Sequence, residues 1–137
     1  SRYAAGVAMS ALHWDLAGWQ QQILDRQSQS ATSTPQSAFH FRWIMGHLDD
    51  AQAAIDKARN FSMVELAPKM SCPFLIVHGS NDMVVPVASA QKLFEAIGSE
   101  KKELRILTDE DGGHYHAQAD NRQVGIDYIA DWLEDTV

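Results

Sequence analysis

The stretch HGSNDMVVP, His78 to Pro86, follows the apolar run Phe74, Leu75, Ile76 and Val77 and puts a carboxylate, Asp82, three residues beyond Gly79. A strand that ends in glycine and hands over to a short turn is how a parallel α/β sheet presents a functional Asp at its C-terminal edge. Farther along, the glycine-containing loop DEDGGHYH offers two histidines, His114 and His116. An imidazole titrating near neutral pH can take a proton from a hydroxyl and later return it. A carboxylate on its other nitrogen fixes the tautomer and stabilises the imidazolium. The plainer alternatives are a turn carboxylate that caps the helix near Pro86 and loop histidines bonded to backbone. H-x-H also suits zinc, with Asp82 as a further ligand, but no third His or Cys has a convincing spacing, so no metal is expected.

The elements that must position these groups read as alternating strands and helices. YAAGVAMSALHW, Tyr3 to Trp14, is small and apolar without helical spacing, which fits a strand buried on both faces. LAGWQQQILDRQ places Leu16, Trp19, Ile23 and Leu24 on one helical stripe, and the polar SQSATSTPQS, residues 28 to 37, reads as a loop. The aromatic FHFRWIMGHL follows, then DDAQAAIDKARNF, where Asp49 or Asp50 caps a helix carrying Ala51, Ala54, Ile55 and Ala58. Phe74 to His78 and Glu103 to Thr108 are further strands. Between them Val87, Ala90, Leu93, Phe94 and Ile97 share a helix face stopped by Gly98, and a last helix from about Gln118 buries Val124, Tyr128, Ile129, Trp132 and Leu133. This order implies an α/β fold with parallel strands and right-handed crossovers. The loops of Asp82 and His116 follow adjacent strands and can therefore meet on one sheet edge. The Ala- and Gly-rich first strand reads as a sheet interior, which predicts a further neighbour for it.

Composition narrows the partners. The 137 residues are 45% hydrophobic, one-domain size with enough apolar mass for a core. A net charge of −7, with no run of Lys or Arg, argues against nucleic acid or an anionic membrane and favours a small, neutral or aromatic ligand. The single Cys72 makes no internal disulfide, and neither a membrane span nor a signal peptide is visible, so the cytoplasm is the expected location. The start at Ser1, already apolar by Tyr3, suggests cleavage or processing upstream.

The chain resembles the C-terminal half of an α/β-hydrolase. HGSNDMVVP matches that superfamily's H-G-x-x-D-x-x-V-P segment, and DGGHYHAQADNRQ resembles a triad-histidine loop written in one subfamily as G-G-x-E-H-C-Q-x-D-N. The resemblance implies Asp82 as triad acid and His116 as base, because the QADNRQ tail sets the register, with His114 as the alternative. Tyr115 and Ala117 stand where that pattern has Glu and Cys. The superfamily's nucleophile sits in G-x-S-x-G, which does not occur here: Ser10 lies in AMSAL and Ser80 in GSN. The missing serine is therefore expected before Ser1, on a companion polypeptide that carries the N-terminal half. ALHWDL, the aromatic insertion and GGHYHAQADNRQVGIDYIADWL are similar to the group that contains dihydroxypseudooxynicotine hydrolase, the FrsA-like fermentation-respiration switch proteins and the fungal polyketide-shortening hydrolases.

The expectation is the C-terminal part of one α/β-hydrolase domain, with a core strand in residues 1–15, a helical lid insertion in 16–66, and core strands and helices with the triad acid and base in 67–137. It would hydrolyse a carbon-carbon or ester bond in a hydrophobic keto or polyketide-like substrate, without organic cofactor or metal. His13, Trp14, Asp15, His40, Trp43 and Met45 are the candidates to line its substrate pocket. A homodimer is compatible with this reading. Two other classes compete: a relative that binds or cyclises a small molecule without hydrolysis, and a stand-alone interaction module.

Overall fold

The computed structural model describes residues 2–10, 14–29 and 36–137. The chain forms two compact units, Ser1–Trp14 with Met63–Val137, and Asp15–Ser62.

The first unit is a three-stranded parallel sheet, β1 (Gly6–Met9), β2 (Phe74–Gly79) and β3 (Lys102–Leu107), in that spatial order. Gly6 pairs with Phe74 and Phe74 with Lys102, so the C-terminal ends of β2 and β3 align at Gly79 and Leu107. Successive side chains of a strand point to opposite faces, and β2, buried throughout, builds two cores in this way. Phe74 and Ile76 pack with Ala90, Leu93 and Ile97 of and after helix α4 (Val87–Ala96). Leu75 and Val77 pack with Leu107 and with Trp132 of helix α5 (Arg122–Thr136). Truncating a buried residue such as Ile76 to Ala should cost about 2–5 kcal/mol.

The first strand is shorter than the Tyr3–Trp14 stretch read from the sequence. β1 covers four residues, pairs only with β2 among the described residues, and leaves Val7 36% and Met9 38% exposed. It is an edge here. Its small residues suit the contact with β2: a Cβ at Gly6 would lie 2.6 Å from the Phe74 ring. Gly98 also works by close approach. A Cβ there would lie 2.1 Å from the Pro68 carbonyl oxygen, in the turn Ala67–Lys69, so the chain leaves α4 without a left-handed cap. Helix α5 begins at Arg122 rather than near Gln118, because Ala117 and Gln118 take φ of 51° and 52° in a 3-10 turn at His116–Gln118.

The second unit contains helices α1 (Leu16–Gln29), α2 (Gln36–Met45) and α3 (Ala51–Ala58). Ala17, Phe41, Met45, Ala54, Ile55 and Ala58 form its core, flanked by Leu16 and Leu24. Asp50 caps α3 by accepting from the Ala53 N–H at 2.9 Å. Asp15 accepts from the Gly18 N–H at 2.8 Å at the head of α1. The polar stretch expected as a loop over 28–37 gives Ser28 and Gln29 to α1 and Gln36 and Ser37 to α2; residues 30–35 lie outside the described residues.

Candidate active site

The end of β2 and the two loops beside it bring together the acid and a histidine singled out in the sequence. After Gly79 the chain turns at once, and the Asp82 N–H donates to the Gly79 carbonyl at 3.2 Å. Asp82 is buried, and its Oδ1 accepts from the Val84 and Val85 N–H groups at 2.9 and 2.8 Å. The histidine loop crosses directly over Gly79, where a Cβ would meet the His114 carbonyl oxygen at 2.3 Å. The Asn81 N–H donates to that same carbonyl at 2.8 Å. Glycine at 79 is thus what lets the two loops meet.

They meet at His116. Its Nδ1 lies 2.9 Å from Asp82 Oδ2 and 3.1 Å from Oδ1, across 34 positions of sequence. An ionised carboxylate only accepts, so Nδ1 carries a proton, and in the neutral imidazole this leaves the lone pair on Nε2. The imidazole side chain is 43% exposed, while that of Asp82 is fully buried. Burial pushes the Asp82 carboxyl up, but the Val85 N–H, His116 and the Val84 N–H together outweigh it and hold the group below its ordinary value. The pair is therefore a buried, ionised acceptor holding a solvent-facing imidazole in one tautomer.

His78, the last residue but one of β2, lies underneath. It is fully buried, its Nε2–H donates to the Val85 carbonyl at 2.9 Å, and Nε2 stands 3.6 Å from Asp82 Oδ2. Desolvation lowers its pKa, against the opposing pull of the Val85 carbonyl and Asp82 and with help from His116, so His78 is held neutral. His78 and Asp82 grip the Met83–Val85 turn from both sides, one through a carbonyl and the other through amides.

A second carboxylate shapes the histidine loop. Asp120 accepts from the N–H groups of Gly113, His114 and Tyr115 at 2.8, 3.2 and 3.1 Å. Gly112 and Gly113 have φ of 74° and 76°, a conformation L side chains rarely adopt. The loop is also tied to β1: the Ala117 N–H donates to Ser10 Oγ at 2.6 Å, and Ser10 itself has φ of 57°. These braces were not visible as such in the sequence. In the sequence Asp120 stands out only as part of the QADNRQ tail, and Ser10 only as a serine without the flanking glycines of a nucleophile.

The other candidates scatter. His114 Nδ1 lies 3.1 Å from Asp120 and 3.5 Å from Asp109, so the structure brings His116, and not His114, to Asp82. His13 lies outside the described residues. Trp14 packs against the Phe74–Leu93 core, and the Asp15 carboxylate is engaged at the head of α1. Met45 is spent in the core of the helical unit, whereas His40 and Trp43 are exposed on it. Among the described residues, no three His, Cys, Asp or Glu side chains gather to hold a metal, and no helix is long and apolar enough to cross a membrane.

The model of the prolyl oligopeptidase family matches residues 13–137. This chain belongs to the prolyl oligopeptidase family. Its fold is that of the α/β-hydrolases. The family member's architecture superposes on the crystal structure of the 2,6-dihydroxy-pseudo-oxynicotine hydrolase with a TM-score of 0.69 and 21% identity, over 98% of this chain and 34% of that one. The monoacylglycerol lipase of Paleococcus ferrophilus gives 0.56 and 14%, over 100% and 61%. A monoacylglycerol lipase of Mycolicibacterium smegmatis is 28% identical over 74 residues, 53% of this chain and 25% of that protein. The chain thus spans about a quarter of the curated relative and a third of the first of these solved structures.

Proposed function

We propose that this chain supplies the acid and base of a serine hydrolase whose nucleophile is carried by a companion N-terminal half. One observation carries the reading: the Nδ1 of His116 lies 2.9 Å from a buried Asp82 that is itself held by two backbone N–H groups. In that arrangement Nε2 takes the proton of an attacking serine hydroxyl as it adds to a substrate carbonyl. The imidazolium, stabilised by Asp82, returns the proton to the leaving group as the bond beside the carbonyl breaks. Water then repeats the sequence on the acyl-enzyme. Membership of the prolyl oligopeptidase family supports hydrolysis, and the open edge of β1 is consistent with a further strand from the companion segment.

The substrate we infer is a hydrophobic keto or polyketide-like compound cleaved at a carbon-carbon or ester bond. Its support is the likeness of fold to the 2,6-dihydroxy-pseudo-oxynicotine hydrolase, with the monoacylglycerol lipases as the ester counterpart.

The test uses the full-length protein with a fluorophosphonate probe. Labelling of one serine outside residues 1–137 is expected, and His116→Ala should abolish it while leaving the circular dichroism spectrum unchanged. Undiminished labelling in His116→Ala would remove this histidine from the mechanism. Turnover of an aryl 1,3-diketone against a p-nitrophenyl ester then decides between the two bond classes.

A further inference from the structure

Among the described residues, the non-glycine positions with a left-handed backbone are Ser10, Ala117 and Gln118, with φ of 57°, 51° and 52°. They converge on His116. Ala117 and Gln118 follow it directly, and Ser10, beyond the end of β1, accepts from the Ala117 N–H at 2.6 Å across 107 positions of sequence. The Ser10 N–H meanwhile donates to the Val77 carbonyl at 2.8 Å, so the residue that reaches the loop is itself fixed to β2. Left-handed backbone is costly for a residue with a Cβ and persists only where its surroundings impose it.

The same turn costs stability in two further ways. Gln118 is fully buried, and neither end of its side-chain amide has a hydrogen-bond partner among the described residues. Its Cγ lies where a Cβ on Gly113 or Gly125 would come within 3.2 Å, which accounts for a glycine inside helix α5. An unbonded buried amide and a helical glycine each destabilise a fold, so the turn serves placement rather than stability. Its own bonds, Gln118 N–H to the Tyr115 carbonyl and Ala119 N–H to that of His116, both at 3.1 Å, stay local, whereas the Ser10 bond ties it to the sheet. We propose that Ser10 is a positioning residue for His116: its hydroxyl holds Ala117 left-handed and so keeps the imidazole on Asp82. Serine suits the place, since alanine lacks the acceptor and a β-branched threonine disfavours this backbone. The consequence for catalysis rests on the reading of His116 as the base; the consequence for where the imidazole stands does not.

Both consequences can be read in the full-length protein. With isotope-labelled histidine, exchange of the His116 Nδ1 proton with water should speed up by roughly tenfold or more in Ser10→Ala, as the Asp82 bond opens more often. In the same variant kcat should fall by roughly ten- to a hundredfold with KM held within about twofold, because the imidazole is displaced and the substrate is not. Ser10→Gly relieves the backbone at this position yet lacks the hydroxyl, and should lose as much; wild-type kcat there would assign Ser10 to fold stability alone and overturn the proposal. Adding Ala117→Gly to Ser10→Ala lets residue 117 take the left-handed backbone unaided and should restore much of the lost kcat. No recovery would overturn the left-handed turn as the means. Unchanged exchange in Ser10→Ala would overturn the positioning role whatever the protein hydrolyses. Faster exchange, joined to undiminished fluorophosphonate labelling in His116→Ala, would uphold the positioning and remove only the reading of His116 as the base.

Discussion

His116 and His114 stand two residues apart on one loop, each beside an aspartate, yet the two pairs are built in opposite ways. Asp82 is buried, takes two amides of its own turn, and keeps both oxygens within 3.1 Å of the His116 Nδ1. Asp120 directs its oxygens at three consecutive amides of the histidine loop, and His114 approaches it only at the side. In the first pair the backbone holds the carboxylate so that the carboxylate can hold an imidazole. In the second the carboxylate holds the backbone. The same residue types thus divide between orienting an imidazole and shaping the loop that bears it.

The largest effect that separates them is chemical. Asp82→Asn in the full-length protein should lower kcat/KM by about 10⁴-fold, because an amide in that position stabilises the wrong tautomer and cannot offset the imidazolium charge. A loss below tenfold would remove Asp82 from the relay. The carboxyl is held below its ordinary value in the folded protein, so its contribution to stability is complete above about 3.8 and is lost as pH falls through the lower folded value. Asp82→Asn should therefore flatten the acid limb of a denaturation curve.

Asp120→Ala tests the other half. Releasing the amides of Gly113, His114 and Tyr115 lets the loop drift, and a displacement of about 1 Å at a reacting group costs about 10²-fold. The expected signature is a kcat/KM loss of that order with the pH profile keeping its shape, since the Asp82–His116 hydrogen bond is not removed. A loss as large as that of Asp82→Asn would mean that Asp120 belongs to the relay.

Much of this was legible in the residues. Asp82 follows a strand whose apolar run and terminal Gly79 are plain in the sequence, and the parallel α/β order follows from the alternation of strand and helix patterns. The choice of His116 over His114 rested on aligning a tail, and the structure shows why that tail matters: Asp120 within it bonds the loop. What stayed hidden has a common physical form. The Asp120 amides, the Ser10 hydroxyl on Ala117 and the His78 bond to Val85 are side-chain-to-backbone contacts, which leave no periodicity. The extent of β1 was harder to read, because the small residues of Tyr3 to Trp14 carry no periodicity that marks where the strand ends.

His78 sharpens the comparison through stability. Desolvation keeps it neutral in the folded state, while the unfolded chain takes up a proton near 6.5. Below that pH the unfolded state binds more protons, so the folded state loses stability as pH falls from about 7 through the window beneath 6.5. His78→Gln retains a donor near Nε2 for the Val85 carbonyl but does not titrate. Thermal midpoints at pH 7.5, 6.5 and 5.5 should fall less steeply in this variant than in the wild type. Identical slopes would show that His78 contributes nothing to the acid sensitivity.

The smallest effect belongs to His114. Its ring tilts against Tyr115 with centroids 4.2 Å apart and approaches Asp120 at 3.1 Å, but Asp120 retains its three amide bonds without it. The His114 Nδ1 makes no hydrogen bond, so His114→Gln should change kcat/KM by no more than roughly fivefold, about 1 kcal/mol. Measured beside His116→Gln, the two substitutions differ by two positions and should differ by three orders of magnitude or more in rate. If His114→Gln proved as damaging as His116→Gln, the loop would be using both imidazoles, and the division between relay and brace would fail at its most direct point.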